Sequence, residues 1–159
     1  MSRLDSFIRR MSAQRDILNH ACEIVRNVEG PVFELGLGNG RTFHHLREHL
    51  PGRRIIAFDR ELAAHASSHP APQDLILGEI RDTASAFVGA EAALVHADIG
   101  TGYDDKDAIT LTWLPQLAVG LLRSGGLAVS GLPLDRAELE PLPLPDSVPA
   151  GRYFMYRRR

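Results

Sequence analysis

Glu34, Gly36, Gly38 and Gly40 stand at alternate positions in FELGLGNGRT (33–42). Glycine serves where a backbone turns sharply or passes very close to another group. The segment is therefore either a tight structural turn or a loop shaped to lie against a ligand. Its spacing separates two ligand chemistries. A dinucleotide site wants G-x-G-x-x-G, with a pyrophosphate on the following helix N-terminus. After Gly36 and Gly38 that pattern needs glycine at position 41, where the chain has Arg41. Glu34 would repel a pyrophosphate but could meet an ammonium, directly or through water.

The other candidates close apolar runs. RRIIAFD (53–59) ends in Asp59, DLILGEI (74–80) in Gly78-Glu79-Ile80, and AALVHADIG (92–100) in Asp98-Ile99-Gly100. A carboxylate at a strand end accepts hydrogen bonds from ligand hydroxyl, amino or amide groups. Asp59, about twenty residues past the glycines, is placed to accept from both hydroxyls of a ribose. Its alternative use is as a helix N-cap. Glu79 reads equally as a surface acid.

These residues need a sheet to gather them. PVFELG (31–36), RRIIAFD, DLILGEI, AALVHADIG and LAVSGL (127–132) read as five strands. The segments between them, RTFHHLREHL (41–50), RELAAHASSH (60–69), RDTASAFVG and KDAITLTWLPQLAVGLL (106–122), read as helices, the last kinked or restarted at Pro115. Ser124-Gly125-Gly126 reads as a turn. Apolar strands alternating with crossover helices argue a parallel sheet covered on both faces. Its ligands sit outside the carboxyl ends of the strands. Residues 1–30 are expected to be a helical cap of the same domain, with a break at Ser12, and residues 31–159 the core. LEPLPLP and RYFMYRR are expected to pair as an antiparallel edge, the prolines confining the former to the outside.

VFELGLGNGRT, Asp59, LGEI, VHADIG and LLRSGGLAVS, in that order, resemble a class I S-adenosylmethionine-dependent methyltransferase. The resemblance covers residues 31 to 131 and extends to the terminal hairpin, and it implies a three-layer α/β/α Rossmann-like sheet, order 3-2-1-4-5-7-6, mostly parallel with strand seven antiparallel. It also implies a cofactor, S-adenosyl-L-methionine. Glu34, Gly36, Leu37, Gly38 and Gly40 would wrap its methionine part. Asp59, followed by Arg60, would hold the ribose. Glu79 and Ile80 would contact the adenine, and Asp98 with the backbone after it would border the amino-acid end and the methyl group. The implied activity is in-line methyl transfer. The competing reading is a non-catalytic module of the same fold that only binds S-adenosylmethionine or S-adenosylhomocysteine.

The acceptor is less legible. Asp98, His96 and Tyr103 are the candidate bases for a hydroxyl acceptor, while an amine needs only to be neutral. His96 also alternates with apolar neighbours, which suits burial beside the sheet. Asp104-Asp105 suits a cap on the next helix. The chain lacks the Asn/Asp-Pro-Pro-Tyr/Phe tetrapeptide used on base amines and a paired cysteine for ring-carbon attack. A small-molecule acceptor is expected, its wall supplied by residues 1–28, the 100–106 loop or a second subunit, with a homo-oligomer in view.

Composition narrows the rest. The 159 residues carry a net charge of −2 with 24% charged residues, which gives no electrostatic reason to expect nucleic acid or a membrane as partner. The one cysteine, Cys22, excludes an intrachain disulfide and suits a buried thiol. No apolar run approaches the ~20 residues of a membrane span, and a cytoplasmic location is expected. His45 and His49 have the spacing of a zinc pair, but Leu46 stands where the metalloprotease motif wants glutamate. No metal is expected. Trp113 reads as core or subunit contact rather than a substrate platform.

Overall fold

The computed structural model describes residues 1–159. Its strands are β1 (Val32–Leu35), β2 (Ile55–Asp59), β3 (Leu75–Leu77), β4 (Ala92–Ala97), β5 (Leu122–Ser130), β6 (Leu139–Pro141) and β7 (Phe154–Arg158). They form one seven-stranded sheet in the order β3-β2-β1-β4-β5-β7-β6. β1 to β5 run parallel, and β7 pairs antiparallel with both β5 and β6. β6, which carries Pro141, lies at the edge, where its missing donor costs no ladder bond. The three-layer arrangement and the terminal antiparallel strand are those the sequence pattern implies.

Strand alternation sorts the core. Phe33 and Leu35 of β1 face one layer with Ile56, Phe58 and Val95. There Phe33, Phe58 and Phe87 meet edge to face, with ring centroids 5.3 to 5.8 Å apart. This layer is covered by α3 (Ile80–Ser85) and α5 (Leu114–Leu121). Val32 points the other way, to α1 (Arg3–Val25) and α2 (Arg41–His49). Glu34 alternates with Phe33 and Leu35, so it too faces α1 and α2.

α1 is one unbroken helix, which corrects the expected break at Ser12. Its start is Ser2, whose hydroxyl accepts from the Asp5 amide while the Asp5 carboxylate accepts from the Ser2 amide. Ser12 has no acid three residues on, and Ala13, Ile17, Leu18, Ala21, Cys22 and Val25 form one continuous buried stripe past it. Cys22 is in that stripe, and burial pushes its thiol up to about 11. Past the C-terminus of α1, Arg53 donates to the carbonyls of Val25, Val28 and Gly30 at 2.7–3.0 Å.

Residues 60–69 are not an α-helix. Only two short 3₁₀ turns form, Ala66–Ser68 and Pro72–Asp74. Within 60–69 Leu62 is exposed and only Ser68 is fully buried before Pro70, so there is no apolar stripe to offset nucleation. The expected helix at 106–122 divides into α4 (Asp104–Leu111) and α5, with Pro115 in the first turn of the latter. Ser124-Gly125-Gly126 is not a turn between elements but lies inside β5, where the pairing with β4 shifts register between Ala92 and Leu94. No helix in the chain is long and apolar enough to cross a membrane.

Candidate functional site

Between β1 and β4 the strand order reverses, and a cavity of about 1000 Å³ opens at the carboxyl ends of the strands. Its walls come from the glycine loop, from Asp59 and Arg60 after β2, from Glu79 to Asp82 after β3, and from Asp98, Ile99 and Thr101 after β4. α1 adds Arg10, Met11 and Gln14, and α4 adds Lys106, Ile109 and Thr110. The loop carries two close approaches. Gly36 has φ +93° and a Cβ there would stand 2.6 Å from Ile99 Cγ2. Gly40 has φ +85° and a Cβ there would stand 2.6 Å from Ser68 Cβ. A Cβ at Gly38 would meet nothing within 4 Å.

Asp59 holds this loop. Its Oδ2 accepts from the Gly38 amide at 2.8 Å and its Oδ1 from the Arg60 amide at 2.7 Å. A carboxylate has roughly four acceptor sites, so each oxygen keeps capacity toward the cavity. Arg60 pairs with Glu79 at 3.1 Å, both exposed at the far end of the same wall, where Ile80 opens α3.

Behind the cavity lies a buried polar cluster. Glu34 and His96 are directly opposite in the β1–β4 pairing, and both are fully buried. His96 Nδ1 donates to Glu34 Oε1 at 2.5 Å, and Thr42 Oγ1 donates to Glu34 Oε2 at 3.0 Å. Burial pushes the imidazole down, but the Glu34 carboxylate and then Asp98 push it up by more, so it is held above its ordinary value. His96 Nε2 has no partner. Beside it Gln14 Nε2 donates to Asp98 Oδ2 at 2.8 Å and bonds to the Tyr153 hydroxyl, while the Tyr153 ring stacks over His96 at 6.4 Å. Burial, and then the charge of Asp98, raises the phenol further above its usual range.

This geometry corrects three expectations. Glu34 does not reach a ligand's ammonium, because it has no exposed surface and each of its oxygens already has a protein donor. His96 is not on the cavity wall and cannot take an acceptor's proton there. Tyr103 is 64% exposed and outside the cavity, its ring under Lys106 Nζ at 5.0 Å. Of the three base candidates only Asp98 lines the cavity. Gly40 shapes the loop from beneath rather than lining it. Asp104 and Asp105 make no side-chain cap. Asp107 instead accepts from the Thr101 and Gly102 amides, at 2.8 and 3.1 Å, and holds the loop before α4.

Gln14, Thr42 and Tyr153 were not expected. The signal for Gln14 was present: a polar residue inside an otherwise apolar helical stripe. His45 and His49 stack on each other at 4.0 Å, with His45 Nε2 against Asn19 Oδ1 at 2.6 Å. Trp113 borders the cavity as well as packing on the core.

A family described as S-adenosyl-L-methionine methyltransferase matches residues 1–158. The chain belongs to this methyltransferase family. An S-adenosyl-L-methionine methyltransferase from Silicibacter pomeroyi DSS-3 is 46% identical, with 99% of each chain covered and a TM-score of 0.91. Cofactor-bound Rv0187 from MTB is similar in fold at 14% identity, with 98% of this chain and 90% of that one covered and a TM-score of 0.61. So is an rRNA methylase from Streptococcus thermophilus, at 16% identity, 89% and 96% coverage and a TM-score of 0.55. No curated protein matches the chain by sequence.

Proposed function

We propose that this family member binds S-adenosyl-L-methionine in the cavity at the β1–β4 switch and methylates a small molecule beside it. The observation that carries the reading is Asp59: tied to the Gly38 amide, it aims its remaining acceptor capacity into the cavity that the glycine loop borders. Both ribose hydroxyls can donate to it. Arg60, Glu79 and Ile80 take the adenine end. Leu37, Gly36 and Gly38 flank the methionine arm, Asp98 faces its ammonium, and Arg41, at the first position of α2 with no carboxylate partner, faces its carboxylate. The cofactor supplies an already activated methyl group. The chain's own residues position the acceptor in line with it and exclude water. Asp98, oriented by Gln14, is the side chain left to accept a proton from a hydroxyl acceptor.

A second reading, a binding module without catalysis, is favoured by one observation: His96 and Tyr103 are both removed from the cavity, so Asp98 stands alone as a base. Calorimetry with S-adenosylmethionine, S-adenosylhomocysteine and NAD tests the shared premise. Micromolar binding of the sulfur ligands is expected; saturable NAD binding without either would end both readings. Release of S-adenosylhomocysteine with an acceptor panel separates the enzyme from the module.

A further inference from the structure

The cavity's charges differ from wall to wall. On the β2–β3 side acids and cations are mixed: Arg60 is paired with Glu79, Asp59 accepts two amides, and Arg81 and Asp82 line the cavity side by side in sequence. On the opposite side, beyond β4, the charged side chains that α1 and α4 contribute are both cations, Arg10 and Lys106. Neither has a carboxylate within ion-pair distance. Each rests on an aromatic ring instead: Arg10 Cζ lies 5.9 Å from the Phe7 centroid and Lys106 Nζ 5.0 Å from that of Tyr103. A ring face steadies a cation without using its N–H donors. The same side of the lining also carries Met11 of α1, Ile109 and Thr110 of α4, and Trp113, which make it apolar and hydroxylic.

Resting on the methyltransferase reading above, we propose that the acceptor is a small molecule with an apolar body and one anionic group, a carboxylate or a phosphate, gripped by Arg10 and Lys106. The anion is a handle: it fixes which end of the acceptor faces away from the methyl group, and the nucleophile lies at the other end. Asp98, which lines the cavity after β4, is engaged by Gln14 and repels a second anion from the methyl end. An RNA phosphate would satisfy the same cations, but the apolar side chains lining the same cavity suit a compact ligand, and the chain as a whole is not basic.

The test uses the full chain saturated with S-adenosylhomocysteine and titrated calorimetrically with benzoate, phenyl phosphate and the neutral benzamide. Saturable binding of at least one anion, at least tenfold tighter than benzamide, is expected. Arg10→Ala and Lys106→Ala should each weaken it fivefold or more, and Lys106→Arg should retain it. Arg136→Ala, which removes a cation paired with Glu138 away from the cavity, should change nothing. Both alanine variants sit at exposed helix positions, and unchanged S-adenosylhomocysteine affinity verifies their fold. Equal binding of benzamide, silence of both anions, or indifference to both substitutions overturns the proposal. So does methyl incorporation into RNA with both anions silent. Failure of S-adenosylhomocysteine itself to bind would instead strike the underlying methyltransferase reading.

Discussion

The two walls of the cavity are built by different means. The β1–β2–β3 wall is tied at three points, although Arg81 and Asp82 on it form no ion pair: Asp59 ties the glycine loop, Arg60 ties Glu79, and beneath them Glu34 is clasped by His96 and Thr42. The α1–α4 wall presents exposed side chains whose charged ends bond to nothing in the chain. A wall that satisfies itself is pre-organised, so little ordering entropy is lost when a ligand arrives. A wall with free donors gains its partners from the ligand, and it is where specificity can vary without disturbing the fold.

Breaking the internal clasp should have the largest consequence. Glu34→Ala leaves an uncompensated buried imidazole, and a loss of about 3–5 kcal/mol in urea unfolding is expected. A loss under 1 kcal/mol would mean the pair is dispensable and the wall is held otherwise. Next comes the loop. Gly40→Ala forces a Cβ against Ser68 at a left-handed φ, so roughly 2–4 kcal/mol of destabilisation and weakened S-adenosylhomocysteine binding should follow. Asp59→Ala should cost about 1–3 kcal/mol in affinity for the same ligand, as donors lose a charged acceptor. Unchanged affinity would remove the ribose assignment while leaving the loop's architecture intact.

The pH response is a smaller effect. His96 is held above its unfolded value of about 6.5, so the folded state retains a proton that the unfolded chain releases. Its contribution is complete below about pH 6.5 and is lost as pH rises through the raised native value. Unfolding free energies of the wild type should therefore fall upward from that point relative to His96→Gln, and parallel curves would contradict a protonated His96. The smallest change is expected across the cavity. Arg10→Ala and Lys106→Ala should leave S-adenosylhomocysteine affinity and thermal stability within experimental error, which is the sharpest contrast with Glu34 and Asp59.

The legibility of the chain follows the same division. The glycine spacing, Asp59, Glu79-Ile80 and Asp98 are local signals, each a residue type at the end of an apolar run, and the fold brings Asp59, Glu79, Ile80 and Asp98 to one cavity. Glu34 reads locally as a ligand acid, and His96 as either a base or a residue buried beside the sheet, for one reason. They lie sixty-two positions apart, and only the β1–β4 register makes them opposite neighbours. Residues 60–69 have helix-forming composition, but too few apolar side chains along one face to offset nucleation. Ser124-Gly125-Gly126 has turn chemistry that the sheet uses as an irregularity within a strand.

By itself the sequence determined the parallel strands, most of the helices between them and the strand ends that meet at the cavity, because apolar periodicity and strand-end chemistry act over a few residues. Tertiary structure decided what each polar group is for. Glu34 and His96 are internal to the fold, Gln14 and Tyr153 join Asp98 across more than eighty and fifty residues respectively, and Arg10 and Lys106 line the same cavity. A carboxylate is a ligand or a structural partner according to whether donors from distant segments reach it first. That competition is settled by packing, where buried polar groups must be satisfied, and no local pattern records it.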